Sequence, residues 1–406
     1  MADALRTLPL AHRLSTIAPS ATIAIADRAA ALKASGVDVL SFGLGEPDFD
    51  TPVAIRDAAK AALDKGATRY TRVRGVTPLR EAIAADSLRR RGVAHDPEEI
   101  VVSTGAKQSL FDLALALLDP GDEAIIPAPY WVSYPEQVIL VGGVPKIVPT
   151  DEAHGFRLTP EALEAAIGPR TKVLILCTPS NPTGAAYDEA SLRALAEVLR
   201  RHPIWVVVDE IYGQIVYDGF VQKSLLTVAP DLKERLIIVD GASKTYAMTG
   251  WRIGWALASR SISAACEMLE SQATSSPTTV AQYATIAALG STREALDAMV
   301  AEFAARRAKM VDGLNAIPGI RCRKPEGAFY AFPSVQGLIG AKTAEGKTLS
   351  DDVDVTGWLL EAARVAVVPG TAFGAPGYVR LSYAASQAQI QTGLERIAAA
   401  VRTLQR

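Results

Sequence analysis

Short apolar runs alternate with longer helical patterns through the middle of the chain, and this alternation limits the possible folds more than any other feature. Six runs rich in Val, Ile and Leu are candidate strands, at 100–103, 124–126, 172–176, 204–208, 236–239 and 253–257. Continuous runs of this length are typical of strands that are buried on both faces of a mostly parallel sheet. Helical patterns between them, such as 108–118 and 189–201, are long enough for crossovers between parallel strands. The sequence therefore predicts an α/β fold.

A different pattern begins at about residue 291 and indicates a second, smaller domain. A long helix rich in Ala, Arg and Glu leads to a helix near 352–363 and a strand at 365–368, and this mixture is typical of an α+β domain. A chain of 406 residues is also long enough for two domains. The predicted division is an N-terminal arm at 1–14, a large domain at 50–295, and a small domain that combines 15–49 with 296–406.

Charge and cysteine content favour small-molecule chemistry. The chain has 42 Lys and Arg against 44 acidic residues, so it lacks the basic surplus that binds nucleic acid or an anionic membrane. Its three cysteines and four histidines are scattered, and such spacing fits neither a disulfide framework nor a metal site. No apolar run approaches the roughly 18 residues that cross a bilayer, and the N-terminus lacks the apolar core of a signal peptide. We therefore predict a cytoplasmic protein without a metal.

Lys244 is the most informative residue at the predicted sheet edge. It follows the strand at 236–239 within a Gly/Ser turn, and Arg252 lies eight residues further on. A desolvated lysine has a lowered pKa and attacks carbonyl groups, while a guanidinium can hold a phosphate through two hydrogen bonds. An aldehyde-reactive lysine beside a phosphate clamp indicates pyridoxal phosphate. A single lysine in a loop is more often only solvated, so this interpretation depends on what the other strand ends carry.

Ligands of open α/β sheets bind beyond the carboxyl ends of the strands, and further candidate residues lie there. Gly105 and Ala106 begin a helix, whose free N–H groups and positive dipole end suit a phosphate. Trp131 offers a large flat face for stacking on a ring, and Asn181 lies in a loop that two prolines and a glycine hold in place. Taken singly, a glycine turn, a core tryptophan and an Asx turn explain these residues equally well.

Asp209, Tyr212 and Arg380 complete the set of candidates. A carboxylate at 209 can pair with a protonated pyridine nitrogen, and a hydroxyl three residues later can reach the neighbouring ring oxygen if the chain turns helical. Arg380 alternates with Val379 and Leu381 on a predicted strand, where an arginine is costly to bury unless an anion meets it. A substrate carboxylate is one such anion, and a structural salt bridge is the alternative.

These motifs, in this order, resemble the class I and II aminotransferases of fold type I, and within them the bacterial aspartate aminotransferase branch. The resemblance is carried by Asn-Pro-Thr-Gly at 181–184, by Asp-Glu-Ile-Tyr at 209–212, by Ser-Lys-Thr-Tyr-Ala-Met-Thr-Gly-Trp-Arg at 243–252, and by segments at 41–52, 129–135, 327–330, 368–371 and 379–383. It extends from about Leu14 to the end of the chain. It implies a mostly parallel seven-stranded sheet with helices on both faces, the cofactor pyridoxal 5'-phosphate, amino acid and 2-oxo acid substrates, and a homodimer with shared active sites.

The resemblance also implies a role for each candidate residue. Lys244 would bond to the cofactor and move protons, with Asp209 and Tyr212 as the other catalytic residues. The cofactor would further contact Gly105, Ala106, Trp131, Asn181, Ser243 and Arg252, together with Tyr70 from the neighbouring subunit. Substrate would contact Gly45, Trp131, Asn181 and Arg380, and its side-chain carboxylate would meet Lys107, Ser20 and Thr22. At Gly241, some members of the family carry a phosphate-binding serine.

The predicted reaction is transfer of the amino group of L-aspartate to 2-oxoglutarate by a ping-pong mechanism, which yields oxaloacetate and L-glutamate. Aminotransferases for aromatic amino acids or prephenate are the nearest alternative, and carbon–sulfur lyases of the same fold come next. A nicotinamide oxidoreductase is disfavoured because Gly43 and Gly45 are followed by Pro47 and the third glycine of the dinucleotide motif is missing. A ligand-sensing domain of a transcription regulator is disfavoured by the short N-terminus and the lack of basic character.

Overall fold

The computed structural model describes residues 10–18 and 21–405. Its strands are β1 (Leu40–Ser41), β2 (Ile100–Ser103), β3 (Glu123–Ala128), β4 (Val144–Pro149), β5 (Thr171–Cys177), β6 (Trp205–Asp209), β7 (Leu236–Gly241), β8 (Gly254–Leu257), β9 (Tyr330–Ala331), β10 (Val365–Ala366), β11 (Val368–Pro369) and β12 (Val379–Ser382). Its helices are α1 (Ala21–Ala34), α2 (Val53–Asp64), α3 (Thr77–Arg91), α4 (Ala106–Leu117), α5 (Ser133–Leu140), α6 (Pro160–Ala166), α7 (Glu189–Arg201), α8 (Leu225–Val228), α9 (Ala242–Thr245), α10 (Arg260–Ala273), α11 (Thr279–Ser291), α12 (Arg293–Asn315), α13 (Asp352–Trp358) and α14 (Gln387–Val401). A π-helical turn, Leu359–Ala363, extends α13.

A seven-stranded sheet forms the centre of the molecule, in the order β2–β8–β7–β6–β5–β3–β4. Strand β8 runs antiparallel to its neighbours β2 and β7. The other neighbouring strands are parallel. The predicted α/β fold with a mostly parallel seven-stranded sheet is therefore confirmed, and each of the six predicted strands overlaps an observed one.

Both faces of this sheet are buried, which explains why its central strands are continuously apolar. Along β6, Val206 and Val208 pack in one hydrophobic cluster and Val207 packs in another, because successive side chains of a strand point to opposite faces. The first cluster includes side chains of α3, α7 and α11, and the second includes side chains of α4, α5 and α10. Helices on both faces are what a parallel sheet with crossover connections requires.

Strand β4 is the strand of this sheet that the sequence did not predict. It lies at the sheet edge beside β3. Pro145 and Pro149 interrupt its apolar pattern, and Val144 and Ile147 are exposed. Proline is tolerated at an edge because its missing N–H is not needed for pairing on the open side. Such a strand lacks the continuous apolar run that identifies the central strands.

A second hydrophobic core lies beside the sheet. It gathers side chains of α12, α13 and α14 around the aromatic rings of Phe303, Phe329 and Tyr383. Strands β11, β12 and β9 form a three-stranded antiparallel sheet there, and β1 pairs in parallel with β10. Helix α1 packs against β1, β10 and β11. The predicted domain boundaries stay a prediction, and residues 1–9 of the predicted arm lie outside the described residues.

The prediction of one continuous strand at 365–368 was wrong. The chain forms β10 at Val365–Ala366 and β11 at Val368–Pro369, and these two strands belong to different sheets. The run Val-Ala-Val-Val at 365–368 is apolar throughout, so its pattern does not reveal that the chain changes pairing partner at Val367.

Candidate active site

The carboxyl ends of the parallel strands face a cavity of about 390 Å³. Strands β5, β6 and β7 end beside it at Cys177, Asp209 and Gly241. The predicted site residues among its lining are Gly45, Ala106, Lys107, Trp131, Asn181, Asp209, Tyr212, Ser243, Lys244, Arg252 and Arg380. Residues that are far apart in the sequence are therefore neighbours around one cavity.

Lys244 lies on α9, the short helix that follows β7 directly. Its Nζ donates a hydrogen bond to the carbonyl oxygen of Gly45 at 2.6 Å. Burial lowers the pKa of Lys244 to about 8, although the carboxylate of Glu46 acts in the opposite direction. A larger share of its amine is therefore neutral near neutral pH than in an exposed lysine, and the neutral amine is the nucleophilic form.

Asp209, the last residue of β6, is 4 % exposed. Its carboxylate accepts hydrogen bonds from the hydroxyl of Tyr134 at 2.7 Å and from the N–H of Ile211 at 3.1 Å. Both donors are neutral, and burial raises the pKa of Asp209 to about 6. A cation that enters the cavity would therefore stabilise the ionised form of this carboxylate.

Tyr134 is a functional candidate that the sequence analysis missed. It lies on α5, is 2 % exposed, and reaches Asp209 across the sheet edge. Its segment contains several aromatic residues, and nothing in that pattern distinguishes this hydroxyl from the others. The contact joins a residue of α5 to the end of β6, 75 positions away in the sequence, so it is a property of the tertiary fold.

Arg380 reaches the cavity from β12 and is 2 % exposed. Its Nη1 donates to Oδ1 of Asn181 at 2.8 Å, and its Nη2 donates to the carbonyl oxygen of Gly43 at 2.6 Å. Within the described chain, its Nε has no hydrogen-bond partner. The guanidinium stacks over the rings of Tyr330 and Phe373. A buried guanidinium bonded to neutral oxygens needs an anion, so the geometry favours the carboxylate-binding interpretation over the structural salt bridge.

The turn that begins α4 packs tightly against Arg252. Gly105 caps the helix with a φ of 87°, and a Cβ there would collide with Nη2 of Arg252. A Cβ at Gly254 would likewise collide with the backbone nitrogen of Ala106. The first N–H groups of a helix have no intrahelical acceptor, so the turn and the guanidinium together suit an anion. At Gly241, a Cβ would lie 3.0 Å from a backbone carbonyl, which leaves little room for the serine found in some relatives.

Trp131 and Lys107 lie together at the cavity mouth. The ring of Trp131 packs edge-to-face on Tyr134, with 5.4 Å between ring centres. The Nζ of Lys107 lies 4.9 Å from the centre of the Trp131 ring. Loss of solvent around this ammonium, together with the charge of Arg252, lowers the pKa of Lys107. The pair therefore places a flat ring and a cation next to each other.

Tyr212 and Tyr330 share a hydrogen bond of 2.8 Å between their hydroxyl groups. Burial raises the pKa of Tyr212 well above its usual range, so its hydroxyl stays protonated. Tyr330 was noted in the sequence only as part of a motif and was given no role. Its hydroxyl lies so close to Gly45 that a Cβ at Gly45 would approach it to 2.6 Å. Tyr330 is thus a second lining residue whose position depends on the tertiary fold.

Four predicted site residues are not among the described lining of this cavity. Gly105 lies directly before the lining residue Ala106, at the start of α4. Tyr70 is 92 % exposed and lies beside a separate surface depression next to residues 276–280. Ser20 lies outside the described residues. For Thr22 the structure describes its place in α1 but not its side chain. Its neighbour Ile23 lines the cavity, so α1 begins at the cavity mouth.

The described lining carries more positive than negative charge. Its cations are Lys107, Lys244, Arg252 and Arg380, and its carboxylate is Asp209. This balance suits a ligand with several anionic groups and one cationic group. Pyridoxal phosphate has these features, since it combines a phosphate, an aldehyde that amines attack and a ring nitrogen that can carry a proton. The residues present therefore fit this cofactor.

The described residues also bear on metal sites, membrane spans and reactive thiols. In residues 10–18 and 21–405, no group of His, Cys, Asp and Glu side chains is placed to hold a metal ion. Over the same ranges, no helix is both long and apolar enough to cross a membrane. The three cysteines are free thiols, and Cys177 lines the cavity.

Comparisons of the sequence with known proteins agree with this geometry. The sequence model of the family "Aminotransferase class I and II" matches residues 37–397. The aspartate aminotransferase of Rhizobium meliloti (strain 1021) is 49% identical over 391 residues, which cover 96% of this chain and 95% of that protein. The aspartate/prephenate aminotransferase of Cereibacter sphaeroides is 46% identical, and the alignment covers 96% of this chain and 98% of that protein.

Solved structures are similar over almost the whole chain. The crystal structure of the aspartate aminotransferase from Rhizobium meliloti matches with a TM-score of 0.95 and 48% identity, over 98% of this chain and 99% of that chain. The aspartate aminotransferase from Thermus thermophilus with maleate matches with a TM-score of 0.91 and 42% identity, over 97% of this chain and 99% of that chain. The likeness therefore covers the central sheet, the core beside it and the segments that line the cavity.

Proposed function

Because the chain belongs to the class I and II aminotransferase family, we propose that it uses pyridoxal phosphate to transfer the amino group of L-aspartate to 2-oxoglutarate. The observation that carries this proposal is the setting of Lys244. Its amine has a lowered pKa and lines one cavity with the buried carboxylate of Asp209 and the guanidinium of Arg380. This reaction needs three groups: a nucleophilic amine, an anion that pairs with the protonated ring nitrogen, and a cation that binds the substrate carboxylate.

Pyridoxal phosphate, when bound, supplies an electron sink for the negative charge that forms on the α-carbon of the amino acid. The residues that we assign to its phosphate are Gly105, Ala106, Ser243 and Arg252. The residues that we assign to its ring are Asp209 at the nitrogen, Asn181 and Tyr212 at the oxygen, and Trp131 on one face. These assignments rest on the turn that begins α4, the burial of Asp209 and the position of Trp131 in the cavity lining.

Lys244 and Arg380 have separate tasks in this proposal. The neutral Nζ of Lys244 takes the proton from the α-carbon of the amino acid and releases it later in the same half-reaction, and such general acid–base catalysis contributes about 10²–10⁴-fold. Arg380 binds the α-carboxylate with Asn181, to which it is already hydrogen-bonded at 2.8 Å. In the protein without cofactor, the carbonyl oxygen of Gly45 accepts a hydrogen bond from Lys244 and orients the amine before it bonds to the cofactor.

Aspartate is favoured over uncharged donors because the cavity offers a cation to each end of a dicarboxylate. Arg380 lies deep in the cavity and Lys107 lies at its mouth. Maleate, which is present in the Thermus thermophilus structure, is also a four-carbon dicarboxylate. Prephenate is the second candidate, because a relative at 46% identity is named an aspartate/prephenate aminotransferase and prephenate also carries two carboxylates.

Replacing Lys107 with alanine should weaken the reaction with aspartate while sparing uncharged donors. Loss of a charge-assisted hydrogen bond costs about 1.5–3 kcal/mol, which is about 10- to 150-fold in kcat/KM. The measurement is kcat/KM with 2-oxoglutarate as acceptor. The donors are aspartate, the amino acid that transamination of prephenate yields, alanine and phenylalanine. Lys107→Met is the matched control, because it keeps the aliphatic stem against Trp131 and removes only the charge. Equal losses on charged and uncharged donors would contradict this role for Lys107.

We also propose a homodimer in which Tyr70 serves the active site of the partner subunit. Tyr70 is 92 % exposed and lies outside the cavity of its own chain. A large aromatic side chain held almost fully in solvent is typical of a residue that a partner covers. The cytoplasmic location predicted from the sequence stays a prediction.

Replacing Tyr70 with phenylalanine should weaken cofactor binding without preventing it. The change removes a hydroxyl that donates to the phosphate, and such a bond to a charged acceptor is worth about 1.5–3 kcal/mol. The dissociation constant of pyridoxal phosphate should therefore rise about 10- to 150-fold, measured by fluorescence titration of the apo dimer. Tyr378→Phe, at a tyrosine that packs against Phe156 and Phe332, is the control and should bind as the wild type does. A catalytically competent monomer, shown by light scattering at the assay concentration, would contradict the shared site.

A further inference from the structure

Two acidic side chains meet inside the protein between α4 and α10. Asp112 on α4 is 1 % exposed, and Glu270 on α10 is fully buried. Their carboxyl groups lie within hydrogen-bonding reach of each other. Gln108 donates to Oδ1 of Asp112 at 2.6 Å. For Oδ2 of Asp112 and for both oxygens of Glu270, the described residues offer no hydrogen-bond donor.

Among the described residues, the surroundings of this pair contain titratable groups but no cation that pairs with it. On α10, Cys266 and Glu267 face the pair. Arg74, which contacts α10, is already ion-paired with Glu267 and Glu98. Strand β2, against which both helices pack, and strand β8, against which α4 packs, contain no ionisable side chain.

The acidic and phenolic groups of the remaining packed elements are engaged elsewhere. On α5, which packs against α4, Tyr134 donates to Asp209 and Glu136 accepts from the backbone of the N-terminal segment. In the turn at 97–99, which packs against α10, Glu99 is paired with Lys233. Asp240 of β7 is paired with two arginines of α3. Because Glu270 is fully buried within its own chain, a second subunit cannot supply a cation to it without rearranging α4 or α10.

We propose that Asp112 and Glu270 hold one proton between them and that this shared proton fastens α4 to α10. Two ionised carboxylates in contact, buried and without a cation, would be strongly unfavourable. If one of them is protonated, its O–H donates to the other carboxylate and forms a charge-assisted hydrogen bond. Without this proton, the facing oxygens of the two carboxylates are all acceptors. With it, one oxygen becomes a hydrogen-bond donor to the other carboxylate. This inference does not rest on the proposed function.

The shared proton predicts how stability changes with pH. Burial, together with the facing Asp112, raises the pKa of Glu270 from its ordinary 4.5 to about 9, and burial raises the pKa of Asp112 to about 6. Burial also raises the pKa of Cys266 to about 12, so its thiol stays neutral over this range. An acid whose pKa is raised by folding binds more protons in the folded state than in the unfolded state. The contribution of the pair to stability is therefore lost as pH rises towards about 9, and it levels off above that value.

Infrared spectroscopy of the holoenzyme tests the proton directly. At about pH 7.5 an ordinary aspartate or glutamate is ionised, so the wild type should show a carboxylic acid C=O stretch from this pair. The double variant Asp112→Asn/Glu270→Gln should lack that band, because an amide pair keeps the contact and cannot titrate. Glu267→Gln is the matched control on the same helix, and it should keep the band because Glu267 is ion-paired with Arg74. Identical carboxylic acid spectra for the wild type and the double variant would overturn the proposal.

Thermal unfolding provides a second, independent test. From about pH 5.5 to about pH 9, one proton held by the folded state changes the unfolding equilibrium by up to about tenfold per pH unit. The unfolding midpoint of the wild type should therefore fall relative to that of the double variant as pH rises. If the double variant does not fold, Glu270→Gln replaces it in the comparison. In that variant the amide donates a hydrogen bond to the ionised Asp112, so the contact is kept without a shared proton. Parallel midpoint profiles for wild type and variant would show that the pair does not hold a proton.

Discussion

Replacing Lys244 with alanine should reduce kcat for aspartate transamination by roughly 10⁴-fold or more. The change removes both the amine that bonds to the cofactor and the group that moves the proton, and the second of these alone is worth about 10²–10⁴-fold. The variant should still hold pyridoxal phosphate, because Arg252 and the turn of α4 are untouched. Steady-state assays with aspartate and 2-oxoglutarate measure turnover, and visible absorbance after gel filtration measures the retained cofactor.

The control for this variant is a lysine outside the cavity. Lys146 pairs with Glu123 at the edge of the sheet, so Lys146→Ala should keep wild-type turnover. Borohydride reduction followed by peptide mass spectrometry should find the cofactor attached at Lys244 in the wild type and unattached in Lys244→Ala. Turnover close to that of the wild type in Lys244→Ala would falsify the proposed function, provided that the variant unfolds at a similar temperature.

Much of the central sheet could be predicted because its strands are buried on both faces. Runs such as 204–208 have no polar position that an exposed strand would need, and their short length and β-branched residues favour a buried strand over a buried helix. Strand β4 escaped prediction because an edge strand can carry Pro145 and Pro149 and can expose Val144. The strand predicted at 365–368 proved to be two short strands, because a local pattern does not state which strand is the pairing partner.

The site residues likewise divide into those that a strand pattern places and those that only tertiary packing places. Asp209 and Lys244 could be predicted because each follows a recognisable strand, and the carboxyl ends of parallel strands meet at one edge. Tyr134 could not be predicted, because its role in the site depends on a hydrogen bond to a residue 75 positions away. The pair Asp112 and Glu270 is equally invisible in the sequence, where each acid occupies an ordinary position on a helix. Contacts of this kind arise only when the helices pack.

Replacing Asp209 with alanine should lower kcat by about 10²–10³-fold and change KM for aspartate much less. Loss of one preorganised electrostatic partner in a water-poor site typically has an effect of this size. Without the carboxylate, the ring nitrogen has no countercharge and stays largely neutral, so the charge formed on the α-carbon is poorly stabilised. Binding of aspartate depends instead on Arg380 and Asn181. Steady-state kinetics over a range of aspartate concentrations separates the two parameters.

Three further variants show whether the charge of Asp209 or its shape matters. Asp209→Asn can still accept the hydrogen bond of Tyr134 but carries no charge, so it should be nearly as slow as Asp209→Ala, while Asp209→Glu should retain more activity. Tyr134→Phe leaves the charge and removes one neutral donor, a change worth about 0.5–1.5 kcal/mol, so it should cost about tenfold at most. A higher KM with unchanged kcat in Asp209→Ala would contradict this role, because such a result means that an interaction equal in the ground and transition states was lost. Asp209 would then be a substrate-binding residue, and the ring nitrogen would need another partner.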